Sequence, residues 1–588
     1  MAVLVQAFFG TYALTVDGWG IASLLVFIGL AAAFRVVKGS GLCKNRWLAL
    51  SAAFFSVCTV VGKSYQTAGN WSLIVGSPAV ICGALAEVLG FYFLYRGGVL
   101  FIVWLLRGEK VFRRDCRGRA EELLFEKHPF LVPLAVMLIC SLPVLISFFP
   151  GTLEADAYRQ LSNMRSGDWD AHYPVMASRL MDGVLCLGQL LFKNDNLAFF
   201  MYTGTQYFLQ CLVFAYTMSV LGRMRTPVVI RWGALVYFSL FSVFQMYGYT
   251  MVKDSMFYIV FILFAALSAD IIARGEGVGT RRLTIALGAV SLLPVFFRNN
   301  GLHLILFTVA AGFLLCRKYK RLYLTMLAGA LLGVLINSGV MHLYGVEGGS
   351  VREMLSVPLQ QTARYLSEHY DEVTDEERKA LEGIFEVELR EVAALYQPEI
   401  SDPVKDCVAY RPDREALEAY LSVWARQFLK HPGTYVQAFL NHTYGYFYPD
   451  RECFWEGIGV YGIGESWPWD GMDFNPWFVM ENGWMRERIQ QVHLWMSHLP
   501  VVSSLYSCGM HNFFLIGMCA YLLGSKKRQD LFLLIPCVGC VLICLISPVN
   551  ALIRYMLPVM ACLPLNLAWC FFAGDSANAV STVSAGED

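Results

Sequence analysis

Long apolar runs separated by short polar links fill most of this chain. They lie near Trp19–Val37, Trp47–Val61, Val80–Leu106, Phe130–Phe148, Leu197–Leu221, Trp232–Tyr249, Ser255–Ile272, Leu283–Phe297, Leu302–Cys316, Leu322–Tyr344, Val502–Leu523, Leu531–Ser547 and Leu552–Phe572. A helix of about 20 apolar residues crosses the hydrocarbon core of a bilayer. In lipid only helices and closed barrels satisfy every backbone donor and acceptor. The pattern therefore predicts an all-α polytopic membrane protein with about 13 transmembrane helices. Val175–Phe192 is also apolar. Counting it as a span would move the basic links that follow it to the opposite side, so it is read as a juxtamembrane or re-entrant helix packed against protein.

Composition agrees with that pattern. Of 588 residues, 56% are hydrophobic and only 16% charged, against about a quarter charged in ordinary soluble domains. The net charge is zero, and no nucleic-acid partner is predicted. Met1–Asp17 lacks the basic start of a cleavable signal peptide. Cys537, Cys540 and Cys544 have metal-like spacing, but they lie in an apolar run where Cys acts as a small hydrophobe. Cys407 and Cys453 fall in the large polar region, where a disulfide is an open alternative.

Charge then orients the helices. Basic clusters occupy alternate links: Lys38/Lys44/Arg46, Arg107–Arg119, Arg223/Arg225/Arg231, Arg274/Arg281/Arg282, Arg317–Arg321 and Lys526–Arg528. Cytoplasmic loops carry the excess of Lys and Arg. The expected location is the plasma membrane, with the N-terminus outside, the C-terminal tail inside and the active site extracytoplasmic.

The expected organisation is a three-helix membrane segment (1–127), a membrane core (128–344) with an outer loop (150–196), an extracytoplasmic domain (345–495), C-terminal membrane helices (496–573) and a disordered tail (574–588). The extracytoplasmic domain is expected to be mixed and mainly helical. Gly345–Val492 holds 26 acidic and 13 basic residues, a net charge of −13. Within it, Leu417, Tyr420, Leu421, Trp424 and Phe428 recur at helical spacing, and His431-Pro-Gly stops that helix. The stretch Tyr444–Trp484 is dense in aromatics and reads as an interfacial belt plus the core of this domain, with stacking on a ring-shaped ligand as the alternative.

Candidate chemistry gathers on the outer side. Phe149–Gln160, FPGTLEADAYRQ, follows an apolar run and places Glu154 and Asp156 just beyond a Pro-Gly breaker. The same loop holds Asp168, Asp170 and His172. Other outer turns hold Lys253 with Asp254, Arg298-Asn299-Asn300-Gly301, and Arg554. Apart from Lys63, short outer turns carry almost no other base. Three isolated cations at membrane edges suit an anionic group, Lys as a point charge and Arg as a fork for phosphate oxygens. Each base alone could instead snorkel and each acid could simply be solvated. Carboxylates beside such cations can transfer protons or hold a metal. No compact ligand spacing joins His172 to Asp156 and Asp168. No cofactor is predicted, and a divalent metal remains an alternative.

Pro150-Gly-x4-Asp156-x3-Gln160, Asp168-Trp169 and His172-x-Pro174 resemble the first outer loop of bacterial multi-pass membrane proteins of the GT-C glycosyltransferase class. More narrowly, they resemble an uncharacterised family placed near the GT-C mannosyl- and arabinosyltransferases. Lys253-Asp254, the Arg298 turn, Ser401-Asp-Pro-Val-Lys405, Tyr444–Asp450 and Ser547-Pro…Arg554-Tyr555…Pro558 extend the likeness across roughly Phe130–Leu565.

The resemblance implies a GT-C-like fold and a polyprenyl-phosphate- or pyrophosphate-linked sugar donor. It also implies a glycan or lipid acceptor and transfer at the extracytoplasmic face of the lipid bilayer. By position it makes Asp156 the catalytic carboxylate, with Glu154 next. Lys253, Arg298 and Arg554 would bind the carrier phosphate, and Asp168, His172, Asn299, Asn300 and Asp254 would contact substrate. Two adjacent carboxylates mark the protein O-mannosyltransferases, whereas Ala155 separates the pair here. A transporter or flippase of a lipid-linked anionic glycan is the second reading, and a non-catalytic assembly protein the third.

Overall fold

The computed structural model describes residues 45–107, 118–167, 171–275, 277–346, 348–449, 474–478, 483–499 and 501–584. The expected span Trp19–Val37, Cys453 and most of the aromatic stretch lie outside the described residues.

The described chain is a helical bundle with a helical domain at one end. Eight helices are long and apolar enough to cross a membrane, or up to ten if each of two bent pairs forms one span. Several apolar helices of this length make it a membrane protein. Three expected spans form helices of 10–17 residues: Gly301–Leu315, as long as the run expected there, and the shortened Cys508–Gly524 and Ile535–Cys544. The last of these is preceded by a 3-10 turn, Arg528–Leu533, and has Pro536 in its first turn. Another expected span divides into Val228–Leu240 and Ser242–Tyr249, bent by 46°. Phe241 between them is extended, with φ −68° and ψ 114°.

Val175–Phe192 also has the length and apolarity to cross. At its N-terminal end Arg179 stacks on Tyr344, the residue that ends the Lys320–Leu343 helix, at 4.2 Å. Near its C-terminal end Gly188 is packed so closely that an added Cβ would lie 2.6 Å from the backbone of Ala198.

Two helices form the centre of the bundle. Lys253–Arg274 is 78% buried over its most apolar stretch, and Ile553–Ala573 is 89% buried. They are surrounded by Phe214, Phe238, Phe244, Leu221 and Ile535, all in one continuous apolar core. Both begin at the same end of the bundle, Lys253 as the first residue of one and Arg554 as the second of the other.

At the opposite end Asp270, fully buried, accepts from Arg223 Nε and Nη2 (2.6 and 2.9 Å), Arg274 Nε (2.9 Å) and Tyr216 (2.7 Å). The Arg317–Tyr319 and Lys526–Arg528 links meet there too: Gln529 accepts from the Lys318 amide, and Arg528 donates to the Leu314 carbonyl. These Lys/Arg-rich links therefore share the end opposite Lys253 and Arg554.

The domain between residues 348 and 449 has its own core, made by Leu359, Leu366, Leu381, Val392, Val404 and Tyr420. Thr374 and Glu377 form a reciprocal capping box that starts the helix Asp375–Glu382. The expected helix around Leu417 spans Arg414–Lys430. Its buried row is Tyr420, Val423 and Gln427, while Leu421 and Phe428 are exposed. The apolar residues of that helix span more than one face, and its neighbours cover only one of them.

Candidate functional site

The loop bearing both acids is fixed by its local sequence. The helix Leu131–Ser147 stops at Phe148, and Gly151 follows with φ +126°. A Cβ at Gly151 would lie 2.6 Å from the Thr203 side chain, so glycine is required on both backbone and steric grounds. Thr152–Leu153 then pairs in parallel with Thr250–Met251, and the two threonine hydroxyls are 2.7 Å apart. This short pairing locks the acidic loop to the start of the Lys253 helix. Glu154 caps the next helix, Ala155–Ser166, its carboxylate accepting the Asp156 amide at 2.9 Å.

The cations converge on those acids. Lys253 Nζ lies 2.6 Å from Asp156 Oδ2, and Arg554 Nη1 lies 3.3 Å from the same oxygen. Arg554 Nη1 also donates to Glu154 Oε1 at 2.7 Å. Glu154 and Arg554 are buried. The Tyr173 ring packs 5.0 Å from Lys253 Nζ. A second pair adjoins this cluster, with Arg298 Nε 3.1 Å from Asp254 Oδ1. Asp254 is buried, and neither of its oxygens has a hydrogen bond of good geometry. Tyr555 links the two pairs: its ring centre lies 4.9 Å from the Arg298 guanidinium and 5.4 Å from that of Arg554. Beside Arg298 opens a small cleft lined by Phe257, Asn300, Cys540, Ile543 and Tyr555.

Four of these charges, Asp156, Lys253, Asp254 and Arg554, sit in the first turns of helices. Lys253 and Arg554 oppose the positive end of the helix dipole, whereas Asp156 matches it. Helix N-termini that also carry cations make a strongly positive locus, which Glu154, Asp156 and Asp254 offset. Burial works against the charged form of Asp156, but Lys253, Arg554 and His172 outweigh it and hold this carboxyl well below the usual range.

The helical domain braces the loop that leads into the Arg554 helix. Ser401 donates its amide and its hydroxyl to the Pro548 carbonyl at 2.8 and 3.2 Å. Asn550 donates to the Asn441 carbonyl and accepts from the Gly445 amide. A second tie runs through His172, whose Nδ1 is 3.3 Å from Glu353 Oε1. Glu353 also binds Lys405 (2.9 Å), which pairs with Asp402 (2.7 Å). Burial again raises the Glu353 carboxyl, while His172 and Lys405 bring it down to about 2. The exposed Asn299 donates to the Ala171 and His172 carbonyls at 3.2 and 2.9 Å, holding that end of the loop.

Of the expected residues, Glu154, Asp156, Lys253 and Arg554 form one cluster, with Arg298 and Asp254 adjoining. His172 and Asn299 sit one step away, and Asn300 lies at the cleft. Asp168 falls outside the described residues. Cys407 is a free thiol. Sequence reasoning passed over Tyr173, which had only its place between His172 and Pro174, and Glu353, which no local pattern marked.

No curated protein and no solved structure matches the chain. A family described as a family of unknown function, DUF6020, matches residues 169–583. That segment includes His172, Lys253, Arg298 and Arg554, and begins after Glu154 and Asp156. The match spans well over half of the sequence, and the chain belongs to this family.

Proposed function

We propose that this protein is a membrane glycosyltransferase. It would move a sugar from a polyprenyl phosphate or pyrophosphate carrier to an extracytoplasmic acceptor, such as a cell-envelope glycan or lipid. The observation that carries this reading is the Asp156 carboxylate held between Lys253 and Arg554 at the N-termini of the two most buried helices. Helix N-termini and basic side chains together favour phosphate. The likeness of the acidic loop to GT-C enzymes supports the choice of a sugar carrier.

The Lys/Arg-rich links lie at the opposite end, and the positive-inside rule makes that end cytoplasmic. The acidic cluster and the helical domain then face outward. Val175–Phe192 is tied near both ends to this same face, through Tyr344 and Ala198, which suits a juxtamembrane helix.

In the resting cluster Asp156 is a weak base, because two cations stabilise its charge. An incoming carrier phosphate competes for Lys253 and Arg554, with Arg298 beside the cleft. As those cations turn to the phosphate, Asp156 becomes more basic and can take the acceptor hydroxyl proton. The acceptor oxygen bonds to the anomeric carbon, the carbon–phosphate oxygen bond breaks, and the cations stabilise the charge left on phosphate.

A flippase of a lipid-linked anion is the second reading, since it too needs cations. Such proteins place substrate charges near the bilayer midplane, whereas these sit at helix ends. The test is transfer by the purified, reconstituted chain from radiolabelled polyprenyl-phosphate sugars. Labelled product supports the enzyme, and carrier movement across vesicles without transfer supports the flippase.

A further inference from the structure

A second polar cluster lies in the helical domain, apart from the acidic loop. His369 is the last residue of the helix Ser356–His369, and Glu372 closes the 3-10 turn that follows. His431 lies between the helices Arg414–Lys430 and Pro432–Thr443, where Pro432 fixes the corner. Glu372 spans both imidazoles. Its Oε1 is 3.2 Å from His369 Nδ1, and its Oε2 is 2.7 Å from His431 Nε2. The two rings stack face to face, with centres 3.7 Å apart and planes at 15°.

Hydrogen-bond direction fixes one tautomer. Glu368 accepts from Arg364 Nε on one oxygen (2.8 Å) and from the Thr434 hydroxyl on the other (2.8 Å). The single Thr434 proton is therefore used. His369 Nε2, 3.0 Å from that hydroxyl, must donate to it. In a neutral imidazole this leaves the Nδ1 lone pair facing a carboxylate oxygen, two ligand atoms that a divalent ion can join.

We propose that His369, Glu372 and His431 form a zinc site that ties the end of the Ser356–His369 helix to the corner at His431. The three ligand atoms lie within 4.8 Å of one another. Zinc bonds of about 2.0–2.1 Å at a tetrahedral angle set ligand atoms about 3.4 Å apart; His369 Nδ1 and Glu372 Oε1, at 3.2 Å, already have this spacing, and the stacked rings would turn apart to aim both lone pairs at one ion. Two imidazoles and a carboxylate suit zinc, leaving its fourth position to water. Thr434 and Glu368 supply the outer hydrogen bonds that orient a zinc-binding histidine. The ligands are partly exposed, so the ion can enter from solvent. This site is independent of the glycosyltransferase reading.

The test uses the full-length protein in detergent, stripped with a chelator and titrated with zinc. The wild type should hold one more zinc per chain than the double variant His369→Gln/His431→Gln, and zinc should raise its thermal midpoint. Glu372→Gln, at an exposed position that leaves packing intact, should weaken zinc at least tenfold. Thr434→Val should weaken it by about 10–100-fold. Equal zinc content in wild type and double variant would overturn the proposal, as would unchanged affinity in a folded Glu372→Gln.

Discussion

Arg554 and Glu154, 400 positions apart in the chain, meet at 2.7 Å with both side chains buried. A buried ion pair stabilises little compared with well-packed apolar groups, but removing one partner strands the other charge. Arg554→Ala should therefore cost about 3–5 kcal/mol of stability. Arg554→Met combined with Glu154→Gln should regain most of that loss and still be inactive. Thermal unfolding in detergent, with a transfer assay alongside, reads both effects.

Asp156 gives a pH signature. Its folded carboxyl lies below the ordinary range, so the stability it adds is fully present above its unfolded value. That value is near pH 4, and the stability is lost only as pH falls through the lower folded value. Bound carrier phosphate would draw Lys253 and Arg554 away and raise the Asp156 value. The acid limb of kcat, which reports the bound complex, should thus lie at higher pH than the acid limb of kcat/KM. Superimposable limbs would contradict the competition between phosphate and carboxylate.

Lys405 is a third handle, because it holds Glu353 against His172 from inside the helical domain. Lys405→Met should lower kcat/KM by about tenfold, about 1.4 kcal/mol in the barrier, and raise the Glu353 carboxyl from about 2 toward its usual 4.5. The contribution of Glu353 to domain stability, present above pH 4.5 in the wild type, should correspondingly shrink. Acid unfolding of the variant and its parent checks this.

Gly301 tests the Arg298 turn. Its amide donates to the Arg298 carbonyl at 2.9 Å, and a Cβ would lie 2.0 Å from the Pro294 carbonyl oxygen. Backbone on both sides must then move, so Gly301→Ala should displace Arg298 and raise KM for the carrier. Gly183→Ala, with open space around it, is the control and should leave KM unchanged.

Much of the cluster was legible because charge stands out against lipid-length apolar runs. Lys253, Arg298 and Arg554 were conspicuous as lone bases at helix ends, and a Pro-Gly breaker marked Glu154 and Asp156. Glu353 was not legible, since it is one of 26 acids in a polar region and only tertiary packing brings it to His172. The resting state of the acids was hidden as well. Apolar periodicity places Asp156 at a membrane edge, but it carries no sign that Lys253, 97 positions away, would neutralise it. Helix length was the weakest reading. The runs at Val502 and Leu531 have apolar composition enough for a span, yet the 3-10 turns that open them shorten the helices they form.

The most direct measurement is sugar transfer by reconstituted wild type and Asp156→Asn at saturating carrier. Asparagine keeps the size of the side chain and removes the base. Loss of about 10²–10⁴-fold in kcat, the range for a general base, with the carrier still bound, is the predicted result. Full transfer activity in Asp156→Asn would contradict the account.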